Sequence, residues 1–173
     1  MKISMHAMSV ELFVPMLGNL AAILDKAVAS AAARKFDSDV IAGSRLAPDM
    51  LPFTRQIQLA CDFAKNSTAR LAAQDPPRFA DEETTLAELK ARIEKTIAYL
   101  KTVSAGALEG SEDRQIVVPL HDRKLEMRGL PFLQRWVLPN FYFHVVTAYA
   151  LLRHNGVDVG KMDYLGRDSV PPA

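Results

Sequence analysis

His144 is the side chain in this sequence whose type and placement could do chemistry. It lies in PNFYFHVVTAYALLRHNG, Pro139 to Gly156, with Asn140 four residues before it and Thr147 three after. At roughly 100° per residue on a helix, these three make one narrow polar stripe. The stripe runs beside an apolar seam of Leu138, Phe141, Val145, Ala148 and Leu152. Phe143, Val146, Ala150 and Leu151 add apolar surface elsewhere, as expected of a helix covered on most sides. Polar groups in such a place must find hydrogen-bond partners, bind something or face water. An imidazole there can exchange a proton near neutrality or ligate a metal. Tyr149 falls roughly 140° around the helix from His144, and His154 sits at the helix end, so both read as packing or capping residues.

Two further polar side chains could join this stripe. Gln56 and Gln58 fall in the first two turns of an earlier helix, near the end that a long loop covers. The plain alternative is that one or both are solvated.

Other chemistries find little support. The single cysteine, Cys61, allows no internal disulfide and no cysteine-based zinc site, and its apolar helical setting marks it as a core residue. There is no Ser/His/Asp spacing, glycine-rich phosphate loop or nucleotide fingerprint. A formal charge of +1 with no basic run gives no reason to expect nucleic acid or an anionic membrane. Glu11 and Pro15 interrupt the apolar start, so no secretory signal is expected, and no stretch reads as a membrane span. The expectation is one cytoplasmic domain over residues 1–173, with frayed last residues.

The elements that position these residues follow from spacing. A first helix is expected from Ser9, its N-cap, to Arg34, with Phe13, Leu17, Leu20, Leu24, Ala27 and Ala31 inside and a kink or later start at Pro15. A long crossover, Phe36 to Leu51, should be pinned by Val40, Ile41, Leu46 and Met50. The second helix starts at Pro52 and runs to about Ala73 on a seam of Phe53, Ile57, Cys61, Ala64, Thr68 and Leu71. The third opens with a Thr85–Glu88 capping box, buries Leu86, Leu89, Ile93, Ile97 and Leu100, and pairs Glu88 with Arg92 on a solvated face. Ile116 to Val118 and Leu125 to Met127 flank a turn at His121 to Arg123 and predict a short hairpin. A last helix, broken or kinked at Pro139, ends at Gly156, and Val157, Val159, Met162, Tyr164 and Leu165 can lie back on the bundle.

RLAPDM (Arg45 to Met50), QIQLACDFAKNSTARLA (Gln56 to Ala72) and LPNFYFHVVTAYALLRHNGVDVGKMDYLG (Leu138 to Gly166) carry a resemblance over nearly the whole chain. The sequence resembles the DinB/YfiT-like clan, and more closely a bacterial family of unknown function within it. The resemblance implies an all-α fold: a four-helix bundle with a long first crossover and a short β-hairpin before the last helix. It also implies a homodimer. In the wider clan three histidines hold a divalent metal, one from the second helix and two, as His-x-x-x-His, from the fourth; some members are thiol transferases. Here only His144 matches. Ala148 and Asn140 stand four residues to either side, and the second helix has no histidine.

Three readings follow. In the first, the bundle has lost the metal centre, needs no cofactor, and uses His144, Asn140, Thr147, Gln56 and Gln58 to bind a small molecule in a concave pocket. In the second, it is a metal-dependent enzyme in which His144 holds Zn or Ni with unusual partners such as Gln56 or Gln58. In the third, His144 is a satisfied core residue of a structural or oligomeric protein.

Overall fold

A computed structural model describes residues 3–166; the C-terminal residues expected to fray lie outside that range. The long helices are α1 (Val10–Arg34), α2 (Phe53–Leu71), α3 (Leu86–Thr102) and, after a hairpin, the segment from Gly129 to His154. The hairpin pairs β1 (Gln115–Pro119) with β2 (Lys124–Arg128), antiparallel, with Val118 opposite Leu125. The last long segment comprises α4 (Gly129–Phe132), a π-helical turn (Leu133–Val137) and α5 (Leu138–His154). A short α6 (Lys161–Leu165) folds back on α1. The result is the expected all-α four-helix bundle with one small two-stranded sheet.

The seams behave as their spacing predicts. Phe13, Leu17, Leu20, Leu24 and Ala27 of α1, Phe53, Ile57, Cys61 and Ala64 of α2, and Phe141, Val145, Ala148 and Leu152 of α5 form one core. By length and apolarity α1 could cross a bilayer, contrary to the sequence expectation. Its apolar face is spent on this core instead. Burial pushes the Cys61 thiol up to about 12, which leaves it protonated and inert as expected of a core cysteine.

The cap readings hold in part. Thr85 and Glu88 form the capping box. Gly156, at φ +78°, closes α5 with Gly156 N–H donating to Arg153 O and Val157 N–H to Leu152 O. Ser9 precedes α1, but its hydroxyl donates back to Met5 O rather than capping. The helix continues through Pro15. At Pro139 the cost is met differently. Proline lacks an N–H and crowds the carbonyl four residues earlier, and the preceding turn widens to a π turn.

The crossover is ordered, with one 3-10 turn at Ser38–Gly43. Ile41 pins it, whereas Val40 and Leu46 are exposed. Hydrogen bonds do the rest: Thr54 Oγ1 donates to Ala42 O, and Leu86 N–H donates to Asp39 Oδ1. In the tail Val157 and Val159 are buried and Met162 is not.

The largest departure is Arg92. It does not pair with Glu88, whose carboxylate is taken by the Thr84 and Thr85 N–H groups. The Arg92 side chain is 1% exposed. It donates to Glu83 Oε1 at 2.9 Å and Ala80 O at 2.8 Å in the loop before α3, and to Asp62 Oδ1 of α2 at 2.8 Å. Asp81 Oδ1 lies 2.9 Å away. Burial raises the affinity of Glu83 for a proton, but hydrogen bonds from Arg92 and Gln58 outweigh it and hold the carboxyl below its ordinary range. One buried guanidinium therefore ties α2, α3 and the intervening loop together. Truncating it strands two or more carboxylates, so Arg92→Leu should cost about 3–5 kcal/mol, read as a fall in the urea midpoint. A loss under about 1 kcal/mol would show that the cluster is solvated.

Candidate functional site

His144 and Gln56 meet across the α2–α5 interface. Phe63 of α2 faces Trp136, with ring centroids 6.3 Å apart, so the two helices run antiparallel. That direction brings the start of α2 to the middle of α5. His144 Nδ1 lies 2.8 Å from Gln56 Oε1. The other end of the same amide, Nε2, donates to Leu51 O at 3.0 Å. Gln56 is 1% exposed and His144 is 7% exposed.

This chain of contacts fixes the proton. A carbonyl can only accept, so the group that reaches Leu51 O is the Gln56 NH2. Its Oε1 then faces the imidazole and must receive a proton from Nδ1. In the neutral ring Nε2 therefore carries the lone pair. Nε2 has no hydrogen-bond partner among the described residues, and it keeps contact with solvent. Phe63 stacks on the imidazole at 5.7 Å and Phe143 meets it edge-on at 5.3 Å. Burial, with help from the Arg55 charge, lowers the His144 pKa to about 4. The site at neutral pH is a neutral imidazole with one free acceptor nitrogen between aromatic rings.

The other expected residues do not join it. Asn140 Nδ2 donates to Trp136 O within the widened turn, at 2.7 Å. Thr147 Oγ1 donates to Phe143 O, at 2.7 Å. Both return to their own helix. Gln58 is buried, as Gln56 is, so neither glutamine is solvated. Two residues along a helix is about 200° of rotation, and Gln58 faces the Arg92 cluster instead. It donates to Glu83 Oε2 at 2.8 Å and accepts from Arg55 at 2.7 Å. Sequence reasoning missed Arg55, which lies close enough to depress the His144 pKa, and Phe63, which covers the ring. An aromatic at i+7 from Gln56 was the available signal for Phe63. α5 is also open on one side, since Phe143 is 55% exposed. His144 lines none of the clefts of about 460, 260 and 340 Å3 on the bundle, so the concave pocket expected around it is not one of these.

The donor set does not suit a metal ion of the three-histidine kind. No group of three His, Cys, Asp or Glu residues that could hold one occurs among the described residues. One imidazole nitrogen is engaged by Gln56, and amide oxygens are weak ligands for zinc or nickel.

The depressed pKa has a sign. The unfolded histidine titrates near 6.5 and the folded one near 4. Between those values the unfolded chain binds the extra proton. The contribution of His144 is therefore complete above about pH 6.5 and is lost as pH falls toward 4, to no more than about 3 kcal/mol. Loss from Glu83, held low by Arg92, and Asp81, held low by Arg55 and Arg92, comes at lower pH still. Gln56→Glu should reverse the upper part of the profile. An adjacent carboxylate raises the folded histidine pKa, so its contribution is present at low pH and fades as pH rises. Urea midpoints measured from pH 4 to 8 test this; parallel profiles for the two proteins would refute the contact.

Comparison with known proteins agrees with the architecture. The family described as a domain of unknown function, DUF1993, matches residues 5–165. A crystal structure of a DinB family member protein from Shewanella denitrificans is 43% identical, with a TM-score of 0.89, over 97% of this chain and 95% of that one. No curated protein matches. A match over nearly the whole chain, with the bundle and hairpin in their expected order, means that this protein belongs to the DUF1993 family of DinB-like bundles, whose function is unknown.

Proposed function

We propose that this protein is a metal-free, small-molecule-binding member of the DinB-like bundles, in which His144 Nε2 accepts a hydrogen bond from the ligand. The observation that carries the reading is the Leu51–Gln56–His144 chain, which commits Nδ1 and leaves Nε2 as a neutral acceptor. An isolated acceptor held between Phe63 and Phe143 suits a ligand with one O–H or N–H donor and an apolar body. Arg55 nearby disfavours a cation. Asn140 Nδ2 and Thr147 Oγ1 are spent on their own helix and Gln58 on Glu83 and Arg55, so none of the three contributes these donors to the ligand.

The homodimer implied by the resemblance belongs to the same proposal. Phe143 and Val146, at i and i+3 on α5, stand in water beside His144. A second copy seated on them would shield Nε2 and strengthen the hydrogen bond it accepts.

Two measurements test the reading. Protein purified without chelator, and then incubated with Zn2+ or Ni2+ and desalted, should retain far less than one ion per chain. Stoichiometric metal that His144→Ala abolishes would favour the metal-dependent enzyme instead. Phenol, as a minimal donor with an apolar body, should shift the side-chain resonances of His144 in the intact protein, and Gln56→Ala should weaken that response. Unchanged His144 resonances at millimolar phenol would count against an accessible acceptor.

A further inference from the structure

A cleft of about 260 Å3 lies between α2, the end of β1 and the π turn that precedes α5, with Phe63 in its wall. Phe63, Trp136, Phe132 and Val118 supply apolar wall, and Asn66 and Arg70 supply polar groups. Its volume falls just short of the roughly 300–1,000 Å3 of drug-sized sites.

Arg70 is the unusual member. It is partly buried, and burial alone pulls its pKa down. Its one hydrogen bond is from a guanidinium nitrogen to Asn66 O at 3.3 Å, on its own helix. No carboxylate pairs with it among the described residues. The contrast with Arg92, which faces three acids, is within one molecule. Arg70 sits in the last turn of α2, where any cation offsets the helix dipole. That role needs only charge, and it leaves four of five guanidinium N–H groups unused. Asp62 lines the same cleft, but its charge is committed to Arg92 at 2.8 Å and Lys65 at 3.1 Å.

We infer that this cleft binds a small monocarboxylate with a flat apolar body, its carboxylate paired with the Arg70 guanidinium and its body held against Phe63 and Trp136. A guanidinium fork matches a carboxylate through two parallel hydrogen bonds. One uncommitted cation suits one negative charge, and the Asp62 carboxylate in the same wall opposes a dianion. The inference does not rest on the His144 reading, because His144 does not line the cleft.

Calorimetric titration of the intact protein with phenylacetate, phenylacetamide and phenyl phosphate tests it. Phenylacetate should bind, and the uncharged amide should bind about tenfold or more weakly, as expected for loss of a charge-assisted pair. Arg70→Gln should weaken phenylacetate by a similar factor, Arg70→Lys should fall between, and Lys101→Gln, an exposed cation on α3 outside the cleft, should leave it unchanged. If Arg70→Gln does not fold, the acid-to-amide comparison on the native protein decides. Equal binding of acid and amide, tighter binding of the phosphate, or no heat with phenylacetate at 10-fold millimolar excess overturns the assignment.

Discussion

A single buried amide sets the state of this bundle's histidine. Gln56 has a donor end and an acceptor end, and both are committed: one to the crossover carbonyl of Leu51, the other to His144. Burying an amide without partners would cost a few kcal/mol. Satisfying it at both ends couples three separate parts of the chain, namely the crossover, the start of α2 and the middle of α5. The same arrangement decides which nitrogen of the imidazole is free. The chemical character of the site is thus a consequence of how the helices are joined.

The second constraint acts on the opposite face of α2. Arg92 gathers Asp62, Asp81 and Glu83, and so anchors the loop that precedes α3. Arg55 and Gln58 extend that cluster back toward the start of α2. Arg55 is the link between the two faces, because its charge also reaches His144. α2 therefore carries a neutral, aromatic-walled acceptor on one side and a dense ionic network on the other. Its small residues, Ala60, Cys61 and Ala64, let the core approach closely between them.

Most of the fold was legible because it rests on periodicity. The seams of α1, α2 and α5, the Thr85 capping box, the Gly156 stop and the existence of the β1–β2 hairpin all follow from local spacing or turn chemistry. What was not legible depends on long-range partners. Arg92 looks like a surface residue because Glu88 stands four positions away. Its real partners lie in a loop with no periodic pattern and on the facing helix α2. Gln56 and Gln58 are two residues apart and were treated together, yet they serve opposite faces. The stripe Asn140, His144, Thr147 is real as geometry, but two of its members spend their hydrogen bonds on their own backbone. Spacing can say which side chains share a face, and it says nothing of which carbonyl is near enough to claim them.

A buried histidine needs a partner, and a glutamine on the facing helix supplies one without charge. The central claim is that His144 is a neutral Nδ1–H imidazole with its lone pair on Nε2. Nitrogen-15 resonances of the His144 ring, followed from pH 8 to pH 3, test it most directly. The Gln56 contact requires an Nδ1–H tautomer, and burial requires protonation only near pH 4. An Nε2–H tautomer, or protonation near the ordinary histidine value, would contradict it.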